Sequence, residues 1–466
     1  MGPEAPDDTI CAVATPVGEG GIGILKISGA GAFQVLQRLF RPHKSVGTLQ
    51  SHRLHHGWIH DPESGQAVDE VLVSYMAAPH TYTREDVVEI NCHSGYWVLD
   101  HILQLVLKSG VRLAEPGEFT RRAFLHGRID LSQAEAVIEV IRSKSHHHLL
   151  MANRSLRGGC RTRVQSWRES LLELQARLEA SIDFSDDLEE GEASGWEAWA
   201  ESLEQDLCRP LTRYLEEYES TRVLREGLTL VLVGKPNVGK SSLLNVLLGK
   251  DRAIVTPLPG TTRDVIEDTF LLSGILVRIL DTAGIRREPD EIESLGIERT
   301  LRSVDEADIA LWLIDRSSSL TPEDDAVFEA LSGIPFMILL NKSDLSPHLS
   351  PEDVRKRYGG SPLIMPLSVL NPRDIERLRE TLADRYLSRP LDTRRSEFIP
   401  NLRQKECLEG ALRALRETQK LLASGKDTEL ACLELDSARR QLDAILGREP
   451  DDELLDRIFS QFCIGK

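Results

Sequence analysis

Residues Gly234-Lys235-Pro236-Asn237-Val238-Gly239-Lys240-Ser241 carry the spacing G-x-x-x-x-G-K-[ST]. Glycines at that spacing let backbone N–H groups curl around phosphate oxygens at the positive end of a helix. An ammonium then reaches the outer phosphates and a hydroxyl ligates Mg2+. Lys240 is therefore expected on the β- and γ-phosphates, and Ser241 on Mg2+, with Ser242 opening the helix. Downstream, Asp281-Thr282-Ala283-Gly284 offers a carboxylate for a water-mediated Mg2+ contact and a glycine N–H that can sense a γ-phosphate. Asn341-Lys342-Ser343-Asp344 offers an acid, expected to be buried, that accepts two hydrogen bonds from the N1–H and N2–H2 edge of guanine. Adenine has no such pair, and a buried group left unpaired discriminates by about 10^4–10^5. The nucleotide is thus expected to be GTP. Thr262, in Gly260-Thr261-Thr262-Arg263-Asp264, is placed to complete the Mg2+ shell.

The residue after Gly284 is Ile285. Ras-type GTPases place a water-orienting Gln there, and an aliphatic side chain cannot do that work. Glu293 is a candidate for orienting or activating water, with Glu288, Asp290 and Glu291 as competitors. Asn237 can help hold a monovalent cation, with Thr256–Thr261 supplying the remaining oxygens. Such an ion would sit where the charge of an arginine finger otherwise goes.

These residues need elements to hold them. The apolar run Leu228–Val233 precedes the phosphate motif and a helical pattern over Ser242–Leu248 follows it, the context the motif requires. Further runs at Ile275–Leu280, Ile309–Ile314, Pro335–Leu340 and Leu363–Leu367 alternate with helical patterns. That alternation predicts a parallel sheet covered on both faces over residues 223–389. Residues 1–118 mix β-rich runs (Gly23–Ser28, Val71–Tyr75, Val87–Asn91) with glycine-rich turns and read as an α+β domain. Residues 119–222 are helical in pattern, with apolar stripes Val164/Trp167/Leu171/Leu174/Leu178 and Trp199/Leu203/Leu207/Leu211/Tyr214. Residues 390–466 return to that pattern, with Leu408/Leu412/Leu415/Leu422 and Leu435/Ala438/Leu442/Ile445. Each stripe must be buried against another element. The expectation is one discontinuous all-α domain with the α/β domain inserted between its halves, giving the roughly three domains that 466 residues suggest.

Composition narrows the class. With 41% hydrophobic and 28% charged residues, the chain is globular and not disordered. No apolar run approaches the roughly 18 residues of a membrane helix, and the acidic start Met1–Asp8 predicts no secretory signal. Seven dispersed cysteines without a Cys-x-x-Cys predict reduced thiols in a cytoplasmic setting. The net charge of −18 argues against tight, unaided binding to nucleic acid. Residues 119–168, however, hold ten Arg or Lys against three acids, +7 beside −25 for the remainder. Arg142, Lys144, Arg154, Arg157, Arg161 and Arg163 form a candidate basic foothold for tRNA or a protein partner. His146-His147-His148 lacks metal-ligand partner spacing and reads as a solvated helix surface. Cys92-His93 would point to opposite faces of a strand.

Three blocks are more specific than the nucleotide motifs. They are Asp8-Thr9-Ile10 through Ala14-Thr15-Pro16 to Gly20–Ile24; Glu85–Glu89 with Cys92-His93, Pro116–Phe124 and Asp130-Leu131; and Ile458–Lys466. Through them the chain resembles the MnmE (TrmE) family of tRNA-modification GTPases over nearly its whole length. The resemblance implies an N-terminal folate-binding-like domain that dimerises and binds a formyl-tetrahydrofolate, a helical domain, and an inserted Ras-like P-loop GTPase domain. It implies a homodimer whose potassium-stimulated GTP hydrolysis needs two paired G domains. It further implies a heterotetramer with the flavoprotein MnmG, through which tRNA is engaged. That complex builds a carboxymethylaminomethyl-type group on C5 of the wobble uridine, position 34. By the resemblance Glu293 positions the water, and Asn237, Thr256, Leu258 (through its carbonyl) and Thr261 hold potassium. Pro257, Pro259 and Gly260 complete the loop, and Ser368, Val369 and Leu370 line the base. Lys26, Glu89, Arg128 and Lys466 contact folate, and Cys463 has a functional role in the chemistry. The chain departs from the family at positions 26 and 128, usually Arg and Lys, and at Arg84 and Ser94, which replace glycines. Val369 replaces Ala, with the N–H that would face guanine O6 retained. A GTP-dependent binding switch such as a ribosome-assembly GTPase would share the G domain but has no need of the N-terminal blocks or the Phe462–Lys466 tail.

Overall fold

The computed structural model describes residues 8–16, 18–43, 48–183, 193–250, 268–281, 304, 306–359, 362–387, 397–424 and 427–466. They fall into two compact units. One comprises Met1–Ile141, Asn153–Leu215 and Pro400–Lys466; the other comprises Arg142–Ala152 and Glu216–Ile399.

The first unit contains a seven-stranded sheet. Its strands are β1 (Ile10–Val13), β2 (Gly23–Ser28), β3 (Phe40–Pro42), β4 (Arg53–His60), β5 (Ala67–Met76), β6 (Val87–Cys92) and β7 (Arg112–Leu113), in the order β3-β4-β5-β6-β2-β1-β7. Alternation decides its faces: Leu25 and Ile27 of β2, and Val88 and Ile90 of β6, are buried. They pack with Val35, Leu36 and Leu39 of the Ala32–Leu39 helix and with Leu99, Ile102 and Val106 of the Tyr96–Lys108 helix. The intervening residues go to the other face, and the register sets Lys26 directly opposite Glu89.

The same unit holds the helical stripes. Val164, Trp167, Leu171, Leu174 and Leu178 of the Gly159–Asp183 helix are buried, as are Leu408, Leu412, Leu415 and Leu422 of the Leu402–Ser424 helix. Leu435, Ala438, Leu442 and Ile445 of the Thr428–Leu446 helix are completely buried. The expected bundle of early and late helices is present, with the 159–183 and 428–446 helices packed together and 193–203 packed on 402–424. Trp199, Leu203, Leu207 and Leu211 step by four residues, which drifts about 40° per step around an α-helix of 3.6 residues per turn. A π turn at Glu204–Cys208 absorbs the drift and keeps Leu207 and Leu211 buried.

The second unit is a six-stranded sheet of β8 (Leu228–Val233), β9 (Asp268–Leu272), β10 (Ile275–Asp281), β11 (Ile309–Asp315), β12 (Phe336–Asn341) and β13 (Leu363–Pro366), ordered β13-β12-β11-β8-β10-β9. Every residue of β8 is buried, as a strand covered on both faces requires. The expected strands are all present and parallel; β9 lies outside the expected runs and pairs antiparallel with β10. Its reversal is made by Ser273 and Gly274, both at positive φ (51° and 77°), the backbone of a two-residue hairpin turn.

Candidate functional site

Strand β8 delivers the chain to Gly234, whose φ is 139° and where a Cβ would collide with the Leu313 carbonyl. Asn237 is also left-handed, with φ 62°. Gly239 has φ 106°, and a Cβ there would collide with the Asn341 side chain. The loop thus needs its glycines for both conformation and space. Lys240 opens the Lys240–Lys250 helix, and its Nζ donates to the carbonyls of Gly234 (2.6 Å) and Lys235 (2.7 Å). Val238 is buried, while Asn237, Ser241 and Ser242 are exposed. Positive-φ glycines, an ammonium and a helix N-terminus with a hydroxyl beside it form a set that fits phosphate and Mg2+.

The guanine-side residues are tied to this loop. Asn341, 3% exposed, donates through Nδ2 to the Val238 carbonyl at 2.7 Å and accepts the Val369 N–H at 3.2 Å. One amide therefore clasps the phosphate loop to the 368–370 loop. Lys342, with φ 61°, reaches Asp315 at 2.6 Å, and the Ser368 N–H is fixed by Asp374 at 2.9 Å. Two expectations are corrected. Asp344 is exposed, because it lies beyond the end of β12 on a loop that the sheet does not cover. The Val369 N–H is engaged by Asn341 and does not face outward for guanine O6. Leu370 is 82% exposed. Asp281 ends β10 opposite Leu232 of β8, which brings it beside the entrance of the phosphate loop. Thr256, Pro257, Leu258, Pro259, Gly260, Thr261, Thr262, Thr282, Ala283, Gly284 and Glu293 lie outside the described residues, as do Ile285, Glu288, Asp290 and Glu291.

The first unit sets Lys26 and Arg128 at the ring of Tyr82, with Glu89 and Lys466 next to Lys26. Lys26 lies 3.6 Å from Glu89, and its Nζ is 5.9 Å from the centre of the Tyr82 ring. The Arg128 guanidinium lies over the same ring at 4.8 Å. Tyr82 shares a 3.0 Å hydrogen bond with Thr120. Burial lowers the pKa of the Lys26 ammonium; Glu89 opposes that shift and the neighbouring Lys466 adds to it. Burial likewise raises the Tyr82 phenol, against Thr120 and Arg128. Residues 463–466 reach this site because Gly465, at φ 93°, packs directly on the backbone of Val13 and Ala14. The Phe119 N–H then donates to the Lys466 carbonyl at 3.2 Å. Two ammonium groups, a guanidinium, a carboxylate and a phenol form a donor set suited to a heteroaromatic ring that carries carboxylates. Tyr82 carries no motif spacing, and its only sequence signal is its place three residues before Glu85.

A buried ionic network holds this arrangement. Arg122 is fully buried and binds Asp8 (carbonyl at 2.7 Å, carboxylate at 2.6 Å), Glu85 (3.0 Å) and Glu118 (2.8 Å). Arg112 grips Glu118 through two nitrogens at 2.7 and 3.0 Å, and Ser28 donates to Glu85 at 2.6 Å. Burial raises the Glu118 carboxyl, but Arg112, the Glu115 N–H and Arg122 outweigh it and hold the group below its ordinary range. The two departures from glycine have visible partners. Arg84, at φ 62°, donates to the His126 carbonyl at 2.8 Å. Ser94 accepts the Gly20 N–H at 2.7 Å and donates to Gly18.

Cys463 is exposed, next to the Tyr82 site in sequence through Lys466. Cys92 is buried and donates to Gly23, while His93 pairs with Asp69 at 2.7 Å, so the two do not act together. No metal-binding cluster occurs among the described residues, and His148 is half-buried with its pKa lowered by burial and by Arg225. The basic foothold is divided: Arg142 and Lys144 belong to the second unit, Arg154, Arg157, Arg161 and Arg163 to the first. Part of the positive charge of 119–168 is spent internally, on Asp456 by Arg121, on Asp443 by Arg168 and on Asp130 by Arg161. No described helix is long and apolar enough to cross a membrane.

Two family models together match nearly the whole chain. Residues 131–463 match the MnmE helical domain, and residues 9–128 match the GTP-binding protein TrmE N-terminus. The tRNA modification GTPase MnmE of Syntrophobacter fumaroxidans is 62% identical over 98% of this chain and 98% of its own length. That of Carboxydothermus hydrogenoformans is 44% identical over 99% of this chain and 100% of its own, and that of Moorella thermoacetica 43% over 99% and 100%. With its sheets, bundle and phosphate loop in place, the chain belongs to the MnmE family of tRNA modification GTPases.

Proposed function

We propose that this GTPase is stimulated by potassium and works with the flavoprotein MnmG to install a carboxymethylaminomethyl-type group at C5 of wobble uridine 34 in certain tRNAs. It does so in the cytoplasm, as a homodimer within a heterotetramer that engages tRNA. The observation that carries the reading is the clustering of Lys26 and Arg128 at the Tyr82 ring, with Glu89 and Lys466 beside Lys26. A GTP-dependent binding switch has no use for such a donor set. When bound there, formyl-tetrahydrofolate supplies a one-carbon unit. The chain's part is to hold it: Arg128 and Tyr82 against its ring system, with the Lys26–Glu89 pair and Lys466 towards its polar groups. In the second unit Lys240 and the loop N–H groups hold the phosphates, Ser241, Thr262 and Asp281 serve Mg2+, and Asn237 with Thr256, Leu258 and Thr261 takes potassium. Glu293 positions the water, and Cys463 serves the modification chemistry.

Two measurements test this. GTP hydrolysis in KCl should exceed that in NaCl at equal ionic strength; equal rates refute the cation role. Cells lacking the chain should accumulate tRNA with an unmodified wobble uridine, and normal modification would defeat the whole reading.

A further inference from the structure

The second unit contains two capping boxes of the same chemistry in different surroundings. At the Pro351–Tyr358 helix, Ser350 and Asp353 cap each other, and Asp353 is exposed. At the Pro322–Ala330 helix, Thr321 and Asp324 do the same, yet Asp324 is fully buried. A cap needs only a carboxylate oxygen on the N-cap N–H, which Asp324 Oδ2 supplies at 2.8 Å. Burial adds a desolvation cost that capping does not require.

Asp324 meets the phosphate loop at Lys235. Lys235, the residue after Gly234, lays its ammonium 2.7 Å from the same Oδ2 and 3.0 Å from Thr321 Oγ1. Pro236 follows it and restricts Lys235 to extended backbone. The Lys235 carbonyl is one of the two that receive Lys240 Nζ. A continuous chain of charged contacts thus runs from the Asp324 carboxylate to the Lys235 ammonium, through one residue of backbone, to the Lys240 ammonium. Asp324 Oδ1 has no hydrogen-bond partner among the described residues; Oδ2 takes the cap hydrogen bonds from Thr321, and the Lys235 ammonium is the cation paired with it.

We infer that Asp324 and Lys235 are positioning residues for nucleotide binding: they fix the entrance of the phosphate loop and, through it, the place of Lys240. The inference rests on the assignment of Lys240 to the β- and γ-phosphates. Neither residue touches the nucleotide in this scheme.

The test measures GDP and GTP affinity with Mg2+ on the full-length chain carrying Lys235→Met, Lys235→Arg, Asp324→Asn, and the Lys235→Met/Asp324→Asn pair, alongside a thermal melt. Removing one charge is expected to weaken both nucleotides about tenfold, the scale of one charged hydrogen bond. Lys235→Arg should restore affinity to within about twofold of the unaltered chain, because a guanidinium reaches the same carboxylate. The double variant leaves no lone buried charge, so it remains folded where a single variant does not. If the two residues act as one device, it loses no more than either single variant. Affinities in the double variant equal to those of the unaltered chain would overturn the inference, as would losses that simply add. Failure of the unaltered chain to bind GTP would instead overturn the assignment of Lys240.

Discussion

The phosphate loop and the Tyr82 site solve recognition in opposite ways. The loop is backbone chemistry: eight consecutive residues, with φ of 139° at Gly234 and 106° at Gly239, backed by groups that permit no Cβ. The Tyr82 site is side-chain chemistry assembled from residues 26, 82, 89, 128 and 466. A local device needs its own conformation to be right. A dispersed one needs a scaffold that holds distant strands and helices together, and here that scaffold is the fully buried Arg122 with its three acids.

Replacing Arg122 with Met tests that contrast most severely. It strands the Glu85 carboxylate, leaves Asp8 and Glu118 to Arg112 alone, and should cost about 3–5 kcal/mol in the first unit. Calorimetry should show that unit melting early and formyl-tetrahydrofolate binding lost, with GTP affinity retained. Loss of both ligands together would break the contrast. Next is Lys240→Met, expected to lower kcat for GTP by about 10^2–10^3, as for a lost charge-stabilising donor. Its folate affinity should be unchanged, measured by equilibrium titration.

A smaller effect concerns acid. The Glu118 pKa is depressed in the fold from 4.5, so its contribution is complete above that value and fades as pH falls through the folded-state pKa. Glu118→Gln should therefore flatten the stability-versus-pH curve of the first unit below about pH 4.5 and leave the slope near neutrality alone. Smallest is Arg84→Gly. Relief of a left-handed Arg, about 1 kcal/mol, offsets the loss of its bond to the His126 carbonyl. The melting temperature should move by no more than a few degrees.

The difference between the two sites also decides how much of each is legible in the amino-acid sequence. Strands Gly23–Ser28 and Leu228–Val233 are legible to the residue, because alternation in one and unbroken apolarity in the other report their burial directly. The helical stripes are legible for the same reason. Strand β9 is not: Asp268–Leu272 has one polar end and its turn is Ser-Gly, a weak signal in isolation. The phosphate loop is fully written in its spacing. Arg122 and Tyr82 are not: apart from Glu118, one helical turn before Arg122, their partners lie many residues away and only the folded sheet brings them together. The exposure of Asp344 and the capture of the Val369 N–H by Asn341 depend on loop placement, which spacing does not encode.

Residues 463–466 dock against Val13, Ala14, Gly117 and Phe119. The order of synthesis makes this docking late. The ribosome emits about 5–20 residues per second, so Lys26, Tyr82, Glu89 and Arg128 emerge early and wait while the G domain and the late helices are made. Until residue 466 leaves the exit tunnel, the sheet lacks the carbonyl that receives the Phe119 N–H and the ammonium of Lys466. On the proposed reading, competence for the one-carbon ligand is therefore acquired after the GTPase is already complete. A chain stopped short of residue 463 would carry an intact GTPase and an unfinished Tyr82 site.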